Sequence, residues 1–375
     1  LHPPSLSAMA ARSLRISQVL PTLNLLRPVK FGALLRNKFC VDATEPVGHA
    51  AQKMAQERLT FVMVCEPASS TTEPPHVLGM MTERDFMRYM TYASQHTFFS
   101  GQHPLDKRVS QVMTPLGRTT QLHPNTSVAA ALRSIQHRIW RHLPVVDGPP
   151  GKEVLSSIVS IRDLILVADG GRTEDALPDA LGRSSPTTLH SVWAGKTAGD
   201  VLLTKHERLQ EKTLRSWLLA HSHKHTIGEH ASVLAAAKQM EKEHLTFLVV
   251  VRDHEGIPED DSTESDVVGL VTERSFLNYC IHPSCAPGDM ACIRESYGDE
   301  TTDLDKRPVL DLMTPLTDVV SVDPSASVSE CVDIFFNKNV RHIPVFESSD
   351  AGKRQFRGVL SLRDILRPII ERTDL

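Results

Sequence analysis

The chain has 375 residues, enough for about two domains that each bury a core of their own. Its 41 Lys and Arg against 45 Asp and Glu give a net charge of −4, which offers no overall positive field for nucleic acid. No apolar run approaches the roughly 20 residues of a membrane span.

Apolar residues at 41% with aromatics at only 5% describe cores of aliphatic side chains. Six scattered cysteines (Cys40, Cys65, Cys280, Cys285, Cys292, Cys331) fit no disulfide framework, so a reducing compartment is expected.

The amino end stands apart. Leu1 to Val41 contains no Asp or Glu, while Arg12, Arg15, Arg27, Lys30, Arg36 and Lys38 are spread among Ser, Ala and Leu. With a start at Met9 this composition predicts an organelle transit peptide, mitochondrial with plastid as the alternative. A basic disordered arm is the plainer reading. Residues 1–38 are read as a targeting or docking tail, and because Leu20, Leu23, Leu25, Leu26, Phe31, Leu34 and Leu35 are too many for a purely solvated arm, the segment Ile16 to Phe39 is expected to lie across another subunit of a mitochondrial complex.

Next comes a unit that recurs. Val47, Ala50, Ala51 and Met54, spaced i, i+3, i+4, i+7, predict a helix with one buried face. The run Phe61 to Val64, a polar loop, and a second run ending in GMMTERD predict two strands leading into another helix. The same order returns with the stripe Val128, Ala131, Leu132, Ile135, the run Leu143 to Val146 and the ending SIVSIRD. Residues 168–195, rich in Gly, Pro, Ser and charge without period, read as a linker.

In the second half a helical insertion, 204–222, carries Leu209, Leu214, Trp217 and Leu218 on one side and is read as a docking helix. Val233, Ala236, Ala237 and Met240 then repeat the stripe, with the run Phe247 to Val251 and the ending GLVTERS. A cysteine-containing insertion, 280–306, follows. The last copy has Val328, Cys331, Val332 and Phe335, the run Ile343 to Phe346, and the ending GVLSLRD. ERLTFVMV against EHLTFLVV, VMTPL against LMTPL, and RHLPV against RHIPV show that the halves are duplicates, so the chain consists of four quarters.

The recurring ending has two readings. Thr or Ser at a helix N-cap with an acidic residue three positions on is close to a capping box, worth roughly 1 kcal/mol per helix. The same geometry is an anion site, since a helix start presents N–H groups and a hydroxyl, and a nearby carboxylate can accept both hydroxyls of a ribose. No GxSxG, HExxH or Walker loop occurs, and no catalytic set is found. Cys280, His282, Cys285 and Cys292 form a weak metal candidate lacking the CxxC knuckle, with free or transiently paired thiols as the alternative. His221, His223 and His225 read as solvated histidines.

Four units ending in GMMTERD, SIVSIRD, GLVTERS and GVLSLRD, with their VMTP, LMTP, RHLPV and RHIPV motifs, resemble cystathionine beta-synthase (CBS) domains over about residues 39–367. The resemblance implies an α+β fold of four strand–helix–strand–strand–helix units, paired as residues 39–167 and 196–370 into two Bateman modules that form a disc. The layout is similar to the gamma subunit of AMP-activated protein kinase, and the first half to plant-type and bacterial proteins with a single CBS pair.

It also implies a non-catalytic regulatory module that binds an adenine nucleotide (AMP, ADP or ATP) in the clefts between units. Thr82 with Asp85, Ser160 with Asp163, and Ser361 with Asp364 would hold phosphate and ribose, with Arg141, His142, Arg341 and His342 supplying cations. Leu59 with Thr60 and Leu245 with Thr246 stand at the cation positions of the other two quarters. Thr272 lacks its acid, since Ser275 replaces it, so that site should be weak or empty. The Arg of each ending (Arg84, Arg162, Arg274, Arg363) is read as structural or as an interface cation. The alternative function is an accessory structural subunit of a mitochondrial respiratory or ATP synthase complex, attached through the tail and the helix 204–222.

Overall fold

The computed structural model of the protein describes residues 38–67, 76–96, 103–137, 142–149, 154–161, 163, 197–201, 225–252, 267–281, 284–301, 304–338, 340–348 and 354–365. In chain order the first quarter forms β1 (Cys40–Asp42), α1 (Val47–Gln56), β2 (Phe61–Cys65), β3 (Val77–Thr82) and α2 (Glu83–His96), followed by the short β4 (Thr114–Pro115). The second forms α3 (Val128–His137), β5 (His142–Asp147) and β6 (Val154–Ser160). The third forms β7 (Thr226–Gly228), α4 (Val233–Lys242), β8 (Phe247–Val251), β9 (Val267–Thr272) and α5 (Glu273–Cys280), then α6 (Met290–Thr301) and β10 (Thr314–Pro315). The fourth forms α7 (Val328–Asn337), β11 (His342–Ser348) and β12 (Arg354–Ser361). The fold is α+β, as expected. Among the described residues no helix is long and apolar enough to cross a membrane. The tail before Lys38, the linker and the helix 204–222 lie outside the described residues.

The chain divides into two compact units, and each gathers alternate quarters. One takes its described residues from Arg36–Thr119 and Arg215–Val319, and the other from Thr120–Leu214 and Val320–Leu375. We call them the odd-quarter and even-quarter units.

In the odd-quarter unit two four-stranded sheets have the same plan, β1-β2-β3-β4 and β7-β8-β9-β10. β1 and β2 run parallel, as do β7 and β8, and a parallel pair needs a crossover, which α1 and α4 supply. The next pairings are antiparallel, with Phe61 opposite Thr82 and Phe247 opposite Thr272. The predicted stripes are the buried faces: Val47, Ala50, Ala51 and Met54 are fully buried, and Val233, Ala236, Ala237 and Met240 are at most 2% exposed. Gly79 and Gly269 are fixed by close approach, since a Cβ on either would lie 2.5 Å from the carbonyl oxygen of Thr114 or Thr314. The MTP segments pair antiparallel with β3 and β9 at those glycines.

The even-quarter unit contains two antiparallel hairpins, β5-β6 and β11-β12. The leading strand expected in these quarters shrinks to single parallel bridges, Leu122 with Val145 and Val322 with Val345. One core joins both quarters: Leu132, Leu143 and Ile161 pack in the same cluster as Phe335, Ile343 and Leu362. Each such side chain contributes roughly 1.5–3 kcal/mol on burial.

Candidate functional site

All four endings fold as caps. Oδ2 of Asp85 accepts from the backbone N–H and the hydroxyl of Thr82 (2.9 and 2.7 Å), while the N–H of Asp85 donates back to Oγ1 of Thr82 at 3.2 Å. Ser160 and Asp163 repeat this at 2.7, 2.7 and 3.3 Å, with both residues buried, and Ser361 and Asp364 at 2.8, 2.7 and 3.4 Å. At the third ending Ser275 fills the acid's place, its Oγ accepting from the N–H of Thr272 at 3.3 Å. A hydroxyl thus preserves the cap through a longer bond and without a charge. Oδ1 of Asp85 accepts from the hydroxyl of Thr114 at 3.2 Å, tying the MTP motif to the ending of its own quarter.

A fifth box, Thr197 with Asp200, was not singled out in the sequence, although TAGD carries the same spacing; its N–H and hydroxyl donate to Asp200 at 2.8 and 3.1 Å. Ser327 with Glu330 makes a sixth, and the capping bonds hold the Glu330 carboxyl below its ordinary range. The box alone is therefore not specific to a ligand. What distinguishes the even-quarter endings is the register: His142 stands opposite Ser160, and His342 opposite Ser361, each at the start of its strand. Each of these quarters therefore brings imidazole, hydroxyl and carboxylate together at one strand end, and Arg341 immediately precedes His342. Arg141 lies outside the described residues.

The register also corrects the alignment of the odd quarters. Phe61 and Phe247, opposite Thr82 and Thr272, are the counterparts of His142 and His342, so the positions before them are Thr60 and Thr246 rather than Leu59 and Leu245. The odd quarters have an aromatic ring where the even ones have an imidazole.

The middle of TERD has a different task. Nε of Arg84 meets Oε1 of Glu273 at 2.6 Å, and its Nη2 donates to the carbonyl of Leu245 at 2.6 Å. Reciprocally, Arg274 pairs with Glu83 and donates to the carbonyls of Met54, at 3.0 Å, and Leu59. Each glutamate is buried, at 1% exposure for Glu83 and 4% for Glu273. The first and third quarters are thus clamped by two crossed ion pairs, and Arg84 and Arg274 are interface cations as expected. In the even quarters Ile161 and Leu362 occupy the glutamate positions and enter the apolar core.

The metal candidate is corrected. Cys285 and Cys292 are joined in a disulfide and offer no thiolate, while burial pushes the Cys280 thiol well above its ordinary range. His282 lies outside the described residues, and no cluster of metal-ligating side chains occurs among those described.

The CBS-domain family model matches residues 109–170, 219–282 and 309–371, just over half of the chain. The chain belongs to the CBS-domain family. The match leaves out the chain before residue 109, where β1, β2 and β3 nevertheless repeat the pairing of β7, β8 and β9 position by position.

An uncharacterised protein of Methanocaldococcus jannaschii is 24% identical over an aligned span of 291 residues that covers 71% of this chain but only 63% of that protein's length. A small protein of Acidianus ambivalens is 26% identical over 147 residues, 39% of this chain and 68% of the other. Among solved structures, another M. jannaschii protein, described as a proposed archaeal homologue of g-AMPK, superposes with a TM-score of 0.60 at 14% identity, over 88% of this chain and 95% of that one. That likeness is one of fold. CBSX2 of Arabidopsis thaliana, solved in complex with AMP, matches 39% of this chain and 87% of its own at 21% identity, with a TM-score of 0.27.

Proposed function

We propose that the protein is a non-catalytic regulatory module that binds an adenine nucleotide at its hydroxyl–carboxylate endings and biases the conformation of a partner chain. The observation that carries this reading is the register of the even quarters. His142 pairs across its hairpin with Ser160 and His342 with Ser361, and Asp163 and Asp364 are bound to those serine hydroxyls. Phosphate needs donors and positive charge, ribose needs a carboxylate, and these residue types meet there. Thr82 with Asp85 offers the acid without the imidazole, and Thr272 with Ser275 offers neither. A regulatory coupling of this kind is typically about 1–3 kcal/mol.

The test is calorimetric titration of the full chain with AMP, ADP and ATP, alone and with Asp163→Ala. Loss of hydrogen bonds to a charged acceptor should weaken binding by about 1.5–3 kcal/mol. Unchanged affinity removes Asp163 from the site.

A second reading is favoured by one observation: every ending, including the one that lost its acid, serves as a helix cap. On that reading the protein is an accessory structural subunit of a mitochondrial assembly, attached through its amino-terminal tail and the helix 204–222. Association that survives nucleotide removal but fails when residues 1–38 are deleted supports it. Association that survives the deletion but fails with Asp85 and Asp163 substitutions refutes it.

A further inference from the structure

In the odd-quarter unit, residues 284–294 of the third quarter close over α1 of the first. Cys285 and Cys292 join the two ends of the closing turn, their Cα atoms 5.6 Å apart. Between them Gly288 adopts φ +79°, a left-handed conformation that suits glycine. The turn is read by α1 through its backbone. The side-chain amide of Gln52 donates to the carbonyls of Cys285 and Ala286 (3.1 and 2.7 Å), and its oxygen accepts from the N–H of Gly288 at 2.8 Å. Gln56 donates to the carbonyl of Cys285 at 2.7 Å, and Nε2 of His49 lies 3.1 Å from the carbonyl of Gly288. Met290 packs so closely on Gly48 that a Cβ there would lie 2.9 Å from its Cε, and Arg294 reaches Asp106 at 2.7 Å.

Gln52 is 2% exposed, and both ends of its amide are satisfied by this turn. A buried amide that loses its partners is costly, so α1 is properly packed only while the turn holds its shape. The turn's shape depends in turn on the disulfide, which removes conformations the open segment would otherwise explore. The other described cysteines, Cys40, Cys65, Cys280 and Cys331, are buried and stand outside any disulfide. Cys285 is buried as well, but Cys292 is half-buried and so more open to attack.

We propose that Cys285–Cys292 is a redox-sensitive clasp: oxidised, it holds residues 284–294 on α1, and reduction releases the first quarter from that grip. The reductant is a dithiol. One of its thiolates attacks the Cys292 sulfur, the S–S bond breaks and Cys285 leaves as thiolate; the second thiol resolves the mixed disulfide, leaving two protonated cysteines and an oxidised reductant in a two-electron exchange. Because α1 also presents the Met54 carbonyl that Arg274 grips, the clasp lies next to the crossed ion pairs and bears on the same packing.

The full chain is equilibrated in buffers of reduced and oxidised dithiothreitol. Oxidation is scored by alkylation of Cys285 and Cys292, and packing by amide hydrogen exchange. Reduction should raise exchange about tenfold or more in both 284–294 and α1 while leaving α3 unchanged, since α3 belongs to the even-quarter unit. Cys285→Ser with Cys292→Ser should reproduce that state without reductant. Gln52→Ala should raise α1 exchange in the oxidised protein and abolish its response to reductant. The proposal is overturned if the two cysteines stay reduced in oxidising buffer, if exchange in α1 does not respond, or if Gln52→Ala leaves the response intact.

Discussion

Removing one partner of the crossed ion pairs should open the odd-quarter unit far more than removing a whole pair. The Arg84 and Glu273 side chains are only 14% and 5% exposed, so neither charge can fall back on water when its partner goes. Breaking a pair so enclosed costs about 3–5 kcal/mol, whereas replacing both members with apolar residues of similar size is often neutral. Arg84→Met should therefore cost about 3–5 kcal/mol, and Arg84→Met with Glu273→Leu about 0–1 kcal/mol. Two compact units make a single unfolding curve ambiguous, so a local probe is better. Cys280, fully buried in α5, supplies one, and Cys331, buried in the even-quarter unit, supplies the reference. When opening is fast relative to labelling, thiol labelling of Cys280 should accelerate between about a hundredfold and a few thousandfold in the single variant. It should return to within about tenfold of the unmodified protein in the double variant. An increase below about fivefold in the single variant would mean that the pair is solvated and that the clamp contributes nothing beyond an ordinary surface bridge.

Gly79→Ala should lower the melting temperature by the equivalent of about 1–3 kcal/mol, because the new methyl meets the Thr114 carbonyl at 2.5 Å and backbone must shift to make room; an unchanged melting temperature would show that β4 is free to move away. Ser275→Asp should stabilise α5 by about 0.3–1 kcal/mol by placing charge at a helix start now capped by a hydroxyl at 3.3 Å, and destabilisation would refute that account. Burial, with Asp106 adding to it, pushes the Tyr89 hydroxyl up to about 12 from its ordinary 10. The folded state thus holds this proton more tightly, so the stabilisation is complete below pH 10 and is lost as pH rises toward 12. Melting temperatures across that range should fall less steeply in Tyr89→Phe.

Periodicity made the secondary structure legible, because the helical stripe and the strand runs are local and each quarter states them again. The caps were legible for the same reason: Thr82 and Asp85 are three residues apart and need no distant partner. What local sequence cannot carry is the choice of packing partner. Glu83 and Arg274 lie 191 positions apart in the numbering, and nothing near either residue names the other. The basic motif RH was placed one residue out of step in the odd quarters because Leu, Thr and Phe all suit the approach to a strand, and only the pairing of Phe61 with Thr82 fixes the register. The disulfide was hidden too, since a separation of seven says little until a turn brings the two sulfurs together.

The second position of the ending, which looked like the least informative letter, distinguishes the two compact units. Where it is glutamate, in the odd quarters, the residue is buried and must be neutralised by the arginine of the opposite ending. Where it is Ile161 or Leu362, in the even quarters, the side chain enters a shared core with no charge to satisfy. The chain thus contains both alternatives of a comparison normally made by mutation, a buried ion pair and its hydrophobic substitute, at equivalent positions of one repeat. A crossed pair is directional and demands one partner geometry, while an apolar contact tolerates several. The odd quarters are therefore the ones whose mutual register is fixed most strictly, and they are also the ones that lack the imidazoles. Charge pairing is thus used where the third ending has lost its acid, and an apolar core where His142 and His342 stand opposite their capping serines.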